Sequence, residues 1–409
     1  MLRQARSGHS PSAGTSAGTP GDFGYLAAGE LYFDSACQTL RPQPVLDALT
    51  AYYTEYNACG GRVKYAWGRR VDEEVATTRA AVLRLFGASA RSHAVSFTLN
   101  TTYGINLLLL QLPMGRFSRV VTSTSEHNSV ALPTMTAARR LGIDRVVLER
   151  DRDGALLYAP ADLERAVVVV ASTSNVDGRG LPNLADLIRD AHERGGIVLV
   201  DAAQTMAHGS SVLHGTDADA ICFSAHKMYG ASLGVVVASR ELLRSLQTSF
   251  VGGGMVADVR EDSFDLVVGD EQSLLEPGLQ PWAEIIALGA AIDWLATVRP
   301  FGRTPGEHMA ALERTLFTEL AGVDGVEILG DAPAAVVSVH VPGVDSHRLA
   351  VFLSQQHVSV RSGYFCAHQR LKNELALPPL LRFSLGLHLS EDDVTTTTAA
   401  FARLVKGLA

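Results

Sequence analysis

The stretch Ala220–Gly230, AICFSAHKMYG, decides the fold. Its first half is a short apolar run of the kind that forms a buried strand. Its second half gathers Ser224, His226 and Lys227 at that strand's end. Upstream, GIVLVDAAQ (196–204) repeats the plan, with Asp201 closing an apolar run and Gln204 following it. Further runs of this kind are Ala94–Leu99, Arg119–Ser123, Ala166–Ala171 and Gly234–Ala238. Continuously apolar, β-branched strands such as VVVVA are covered on both faces. Between them lie helical patterns such as Asn183–Arg194, which a Gly-Gly pair stops. Alternating β and α segments predict an α/β fold with a doubly wound, mostly parallel sheet.

Further along, Pro281–Val298 (PWAEIIALGAAIDWLATV) reads as a long apolar helix ended by Pro300. The pattern then changes to a helix (His308–Leu320), a strand (Ala335–His340), a helix (Ser346–His357) and strands around Val358–Val360 and Leu381–Ser384. This predicts a smaller C-terminal α+β domain. The first residues are rich in Ser, Gly, Thr and Pro and cannot build a core. The expected division is a disordered tail (1–22), a large α/β domain (23–295) and a small domain (296–409). A transit peptide is the second reading of the tail.

The chain has 409 residues, long enough for a large core, and its apolar fraction of 47% is that of a globular protein. A formal charge of −8 and the lack of any Lys/Arg-rich run give no basic footprint for nucleic acid. No apolar run approaches the length of a membrane span. The four cysteines (Cys37, Cys59, Cys222 and Cys366) form no C-x-x-C pair, which argues against a zinc site or a disulfide framework and fits a reducing cytoplasm. Lys64, Lys227, Lys372 and Lys406 are the only four lysines, so a mechanism that needs one has few candidates.

In α/β sheets, ligands sit beyond the C-terminal ends of the strands. Asp201, Ser224, His226 and Lys227 fall at such ends. So do Asn100, Thr101 and Thr102, which open a helix whose first N–H groups suit an anion. His127 and Asn175 also follow strands. Together they meet the needs of pyridoxal phosphate (PLP). A lysine amine with a lowered pKa must condense with its aldehyde. A carboxylate must keep the pyridine nitrogen protonated, a part that suits Asp201. Small hydroxyls and a histidine must hold the phosphate, and Thr101, Thr102, Ser224 and His226 suit that part. Singly each feature is ordinary, since an Asp ending a strand is usually a turn residue and an Asn-Thr-Thr before a helix is usually a cap. Their joint order is not.

At this point Tyr32–Leu404 resembles the class V aminotransferase group of fold type I PLP enzymes, and most of all its cysteine desulfurase and selenocysteine lyase branch. YFDSACQT (32–39) resembles the group's first motif, and FTLNTTYGINLL (97–108) its phosphate-loop helix. SEHNSVALP (125–133) resembles the segment whose histidine, here His127, stacks on the cofactor ring. TSNVDG (173–178) resembles the segment whose asparagine, here Asn175, lies near the ring oxygen. VDAAQTMAH (200–208) implies Asp201 on the pyridine nitrogen and Gln204 on the ring oxygen, and FSAHKMYG (223–230) implies Lys227 as the Schiff-base lysine. VRSGYFCAH (360–368) resembles the loop that presents the sulfur-accepting cysteine, here Cys366. The alternative for Cys366, a small buried hydrophobe, is disfavoured by its polar, Gly-containing loop. LLRFSLGLH (380–388) resembles the segment whose arginine, here Arg382, binds the substrate carboxylate, with Arg361 assisting or ordering the loop. A homodimer and a sulfur-acceptor protein are implied by the same resemblance.

Several positions depart from the pattern. In NACGGRVKYAWG (57–68), Tyr65 stands where a substrate-facing histidine is usual, although Arg62 agrees. Tyr364-Phe365 replaces two histidines before the cysteine. LEPGLQPWAE (275–284) puts Leu279 and Trp282 where a neighbouring subunit's phosphate contact is usual, and His388-Leu389-Ser390 replaces Tyr-Asn-Thr. These changes leave PLP binding intact and bear on the substrate. Cys37 and Cys59 read as small core residues, with a second thiol as the alternative. Three functions compete. The leading one is cleavage of the C–S or C–Se bond of L-cysteine or a related amino acid, with sulfur taken by Cys366 as a persulfide and alanine released. The others are a different class V activity (β-elimination from a cysteine conjugate, amino transfer or epimerisation) and a non-enzymatic scaffold or sulfur-relay role.

Overall fold

The structure, a computed structural model, describes residues 21–61, 63–208 and 213–408. A short strand β1 (Leu31–Tyr32) leads to helices α1 (Gln43–Glu55) and α2 (Ala66–Leu85). There follow β2 (His93–Thr98), α3 (Thr101–Leu110), β3 (Arg119–Ser123), α4 (Asn128–Leu141), β4 (Asp144–Leu148) and β5 (Ala166–Ala171). Next come α5 (Leu184–His192), β6 (Ile197–Asp201), α6 (Thr205–His208), β7 (Ala220–Ser224), β8 (Gly234–Ser239) and α7 (Arg240–Ser245). A hairpin, β9 (Val256–Val259) and β10 (Phe264–Leu266), precedes the long helix α8 (Trp282–Thr297).

Seven strands pair in the order β2-β8-β7-β6-β5-β3-β4. Only β8 runs against its neighbours, so the other six point one way and end along one edge. Alternation along each strand splits the core in two. Val168, Val170, Val198, Val200 and Phe223 face α2, α5 and α8, while Val167, Val169, Ile197, Leu199 and Cys222 face α3, α4 and α7. Full burial of each such valine contributes roughly 1.5–3 kcal/mol. The edge strand β4 was not expected, because only part of its length is covered and charge interrupts its apolar run.

The smaller unit holds α9 (Pro305–Ala321), β11 (Glu327–Leu329), β12 (Val336–His340), α10 (Ser346–Ser354), β13 (Val358–Ser359), β14 (Arg361–Gly363), β15 (Leu380–Ser384) and α11 (Glu391–Leu408). Its antiparallel sheet runs β11-β12-β15-β14. Here the expected boundaries need correction. Residues 1–20 of the expected tail lie outside the described residues, but Gly21 and Asp22 belong to a 3-10 turn, and Asp22 accepts a hydrogen bond from the Trp294 indole at 2.7 Å. Phe23 and Phe33, assigned by sequence to the large domain, are fully buried with Phe383, Phe401 and Leu312 of the C-terminal unit. Pairing of β1 with β13 and a bridge between Asp34 and Ser384 fasten this segment there.

A second correction concerns membrane length. The segment from Trp282 to Gly302, α8 and the 3-10 turn after it, has the length and mean hydropathy of a membrane span, contrary to the sequence reading. It is instead a core helix, burying Ala283, Ile285, Leu288 and Ile292 against α1, α2 and the sheet.

Candidate active site

Because the strand ends share one edge, the polar residues that follow them meet. Asn100 caps α3 by accepting the Tyr103 N–H at 2.9 Å, and His127 caps α4 by accepting the Ser129 N–H on Nδ1 at 3.0 Å. Glu126 is structural: it is buried and joins the ends of β3 and β5 by accepting from Ser123 Oγ (2.5 Å), Ala171 N (2.7 Å) and Arg150 (2.8 Å). Beyond these ends lies a cavity of about 320 Å³, within the range of small-ligand sites.

Its walls carry Thr101, Thr102, His127, Asn175, Asp201, Gln204, Ser224, His226, Lys227, Arg361, Cys366 and Arg382, all named from the sequence. Tyr65 is the exception and is corrected: it caps α2 as an exposed residue and does not line the cavity. Its neighbour Arg62 lies outside the described residues. Leu279 is exposed, Trp282 starts α8, and neither lines the cavity.

Lys227 leaves β7 on a single 3-10 turn and is enclosed by protein, its remaining open surface being cavity wall. Burial pushes its pKa down, with Asp201 opposing and Arg382 adding to the fall. Asp201 is buried, which raises its carboxyl to about 6 even though Ala203 N–H donates to it at 2.9 Å and Lys227 is near. His127 is held neutral, its pKa lowered to about 3 by burial and then by Lys227 and Arg382. Because Nδ1 accepts the Ser129 N–H, the ring proton belongs on Nε2. Burial likewise lowers His226 to about 4, with Lys227 and Arg41 adding to it.

Hydroxyls line the start of α3. Thr101 and Ser224 are bonded at 2.6 Å, and Ser129 reaches both Thr102 (2.6 Å) and His127 (2.8 Å). PLP fits these residues. A hydroxyl-lined helix start is suited to its phosphate, a buried carboxylate to its ring nitrogen, and an enclosed amine to its aldehyde. Gln204 supplies independent support: Nε2 donates to Ala36 O at 2.9 Å, while Oε1 is buried without a partner on the wall of the cavity.

The other wall comes from the smaller unit. Phe365 and Cys366 both have left-handed backbones (φ 49° and 57°), a conformation costly for residues with side chains. Asn175 Nδ2 donates to Phe365 O and Asn128 N–H to Cys366 O, each at 2.7 Å, which hold that shape. The Asn175 amide nitrogen is therefore engaged by the cysteine loop. Arg382 is buried, donates to Asn175 O (2.9 Å) and Asp34 (3.4 Å), and lies 4.7 Å over the Phe365 ring. Arg361 binds the same Asp34 at 2.8 and 3.1 Å. Sequence reasoning passed over Asp34 and Ser129 as functional residues, although each stands inside a motif it had quoted. Cys37 and Cys59 are not core residues: Cys37 lines the cavity and Cys59 is exposed.

The Aminotransferase class-V family model matches residues 31–396. A probable cysteine desulfurase of Pseudomonas aeruginosa is 35% identical over 390 residues, covering 92% of this chain and 94% of the relative. Among solved structures, the cysteine desulfurase CsdA of Escherichia coli, in its S-sulfonic acid form, superposes with a TM-score of 0.84 at 26% identity, covering 95% of this chain and 98% of that one. An apo cysteine desulfurase from Thermococcus onnurineus gives 0.82 at 28% identity, covering 93% and 95%.

Proposed function

The chain belongs to the class V aminotransferase family, and we propose that it is a PLP-dependent cysteine desulfurase acting on L-cysteine or a related sulfur or selenium amino acid. One observation carries this reading: Cys366 and Arg382 stand on the wall of the cavity that also holds Lys227 and Asp201. Bound there, PLP supplies an electron sink for the α-carbon of the amino acid.

The chain's own residues do the rest. Asp201 keeps the pyridine nitrogen protonated, and His127, neutral at physiological pH, offers an uncharged ring face. Lys227 Nζ, its pKa lowered by burial, would hold the cofactor through its aldehyde and would move protons in the cavity. Arg382 binds the substrate carboxylate, steadied by Asp34, Asn175 and the Phe365 ring. The Cys366 thiolate attacks the substrate sulfur. A new S–S bond forms, the C–S bond breaks with its electron pair going to carbon, that carbon takes up one proton, and alanine and a Cys366 persulfide result.

A product assay on cysteine, selenocysteine, cysteine sulfinate and thioether conjugates tests this, run beside Cys366→Ser. Alanine from L-cysteine that disappears in the variant, while the cofactor band remains, is the expected result. Pyruvate, a keto acid or a D-isomer formed equally well by the variant would overturn it in favour of another class V activity. A homodimer is part of the proposal. It is supported by the exposed apolar side chains Tyr103, Leu110, Phe250 and Val251 beside a cavity of about 330 Å³. Light scattering at micromolar concentration checks it. A protein that accepts the sulfur, and a reducing cytoplasm that suits four free cysteines, complete the reading.

A further inference from the structure

The steps above use one thiol, yet two stand on the cavity wall. Cys37 lines the same cavity as Cys366, Lys227 and Arg382 and is half-buried. One terminal nitrogen of Arg361 reaches both Cys37 Sγ, at 2.6 Å, and Asp34 Oδ2, at 2.8 Å. Asp34 also accepts from Arg361 Nε at 3.1 Å, so the guanidinium is fixed against the sulfur. A guanidinium fixed in this way offers an N–H donor to the Cys37 sulfur.

The segment bearing Cys37 is itself held. The N–H groups of Cys37 and Gln38 donate to Asp34 O, at 3.0 and 3.3 Å, and Gln204 holds Ala36 O. Two buried polar groups on these walls have no partner: Gln204 Oε1, in a residue 3% exposed, and Arg382 Nε, in a residue 4% exposed. Cys37 therefore stands on the wall of a ligand cavity with unpartnered polar groups and not in packed core. The remaining cysteines differ, since Cys222 is buried within the sheet and Cys59 is exposed and does not line the cavity.

We propose that Cys37 is a second sulfur-carrying site that takes the terminal sulfur from the Cys366 persulfide. The inference rests on the desulfurase reading. The Cys37 thiolate attacks the outer sulfur of Cys366–S–SH. An S–S bond forms at Cys37, the bond to Cys366 breaks, and its electron pair leaves as the Cys366 thiolate. The products are Cys37–S–SH and a Cys366 free for another turnover. This is an exchange between two thiols, so no oxidant or reductant is consumed.

The test uses the cofactor-loaded full chain with L-cysteine and no reductant, followed by alkylation, peptide mass spectrometry and counting of alanine. In the wild type an extra sulfur is expected on both the Cys37 and Cys366 peptides, with a second equivalent of alanine per chain in the burst. Cys37→Ser should hold sulfur on Cys366 alone and stop at one equivalent, and Cys366→Ser should label neither position. Sulfur on Cys366 but not on Cys37 in the wild type would overturn the transfer and leave the desulfurase reading intact. So would a Cys37–Cys366 disulfide with free sulfide, labelling of Cys37 in Cys366→Ser, or equal labelling of the exposed Cys59. Absence of both alanine and sulfur-bearing peptides would mark failure of the desulfurase reading itself, and this proposal would fall with it.

Discussion

Replacing Asp201 by asparagine should stabilise the cofactor-free protein at neutral pH while weakening its hold on the cofactor. The carboxylate is buried at the end of β6, and burial raises its pKa from the ordinary 3.8 to about 6. An acid that ionises less readily in the folded chain than in the unfolded one opposes folding once the pH exceeds both values. At 1.36 kcal/mol per pKa unit, the cost above pH 6 is roughly 3 kcal/mol. It shrinks as the pH falls from 6 towards 3.8 and vanishes where both states are protonated. Asparagine keeps the shape and still offers an oxygen to the Ala203 N–H, so the variant removes the charge and little else.

Chemical denaturation of the cofactor-free wild type and Asp201→Asn, across pH 4.5 to 7.5, measures the difference directly. The variant should be the more stable at pH 7.5, and its advantage should hold down to about pH 6 and narrow below it. Loading the cofactor should reverse the order, because the protonated ring nitrogen is then a partner that the amide cannot match. Dialysis should accordingly strip the variant faster. A variant less stable than the wild type without cofactor, or an advantage that does not change with pH, would refute the reasoning, since burial of the charge would not be what raises the pKa.

Other outcomes follow from the packing and the site. Phe33→Ala empties a fully buried position between the first residues and the C-terminal unit, and should lower unfolding stability by about 3–5 kcal/mol, read by urea denaturation. Gly234→Ala would bring a Cβ to 2.5 Å from the Asn100 backbone. Displacing the start of α3 in this way should weaken cofactor affinity, and an unchanged dissociation constant would remove that helix start from the cofactor site. Arg382→Lys keeps the charge and loses the planar fork. It should lower kcat/KM for the amino acid roughly ten- to a hundredfold, about the 1.5–3 kcal/mol of a charged hydrogen bond, with cofactor binding retained.

Most of the main sheet was legible because the central strands are apolar runs that end in or just before a polar residue, and all but β8 share a direction. The order of Asp201, Ser224, His226 and Lys227 along the chain therefore becomes proximity at one edge. Legibility fails where a neighbour comes from far along the chain. Phe23 and Phe33 carry no periodic signal, and the rings against them, Tyr229, Trp294, His388 and Phe383, all come from far along the chain. Asp34 is the sharper case. In the sequence it is one acid in an opening motif. In the fold, the bridge to Ser384 and the pairing of β1 with β13 set it between Arg361 and Arg382. That placement orders both guanidiniums and turns one of them onto Cys37, which by sequence alone reads as a core residue. The docking of the N-terminal segment thus decides which sulfur meets a fixed cation, and Phe33, whose burial holds that segment in place, is coupled to the chemistry without touching the cavity. Phe33→Ala should for this reason disturb sulfur transfer to Cys37 under conditions where the protein is still folded.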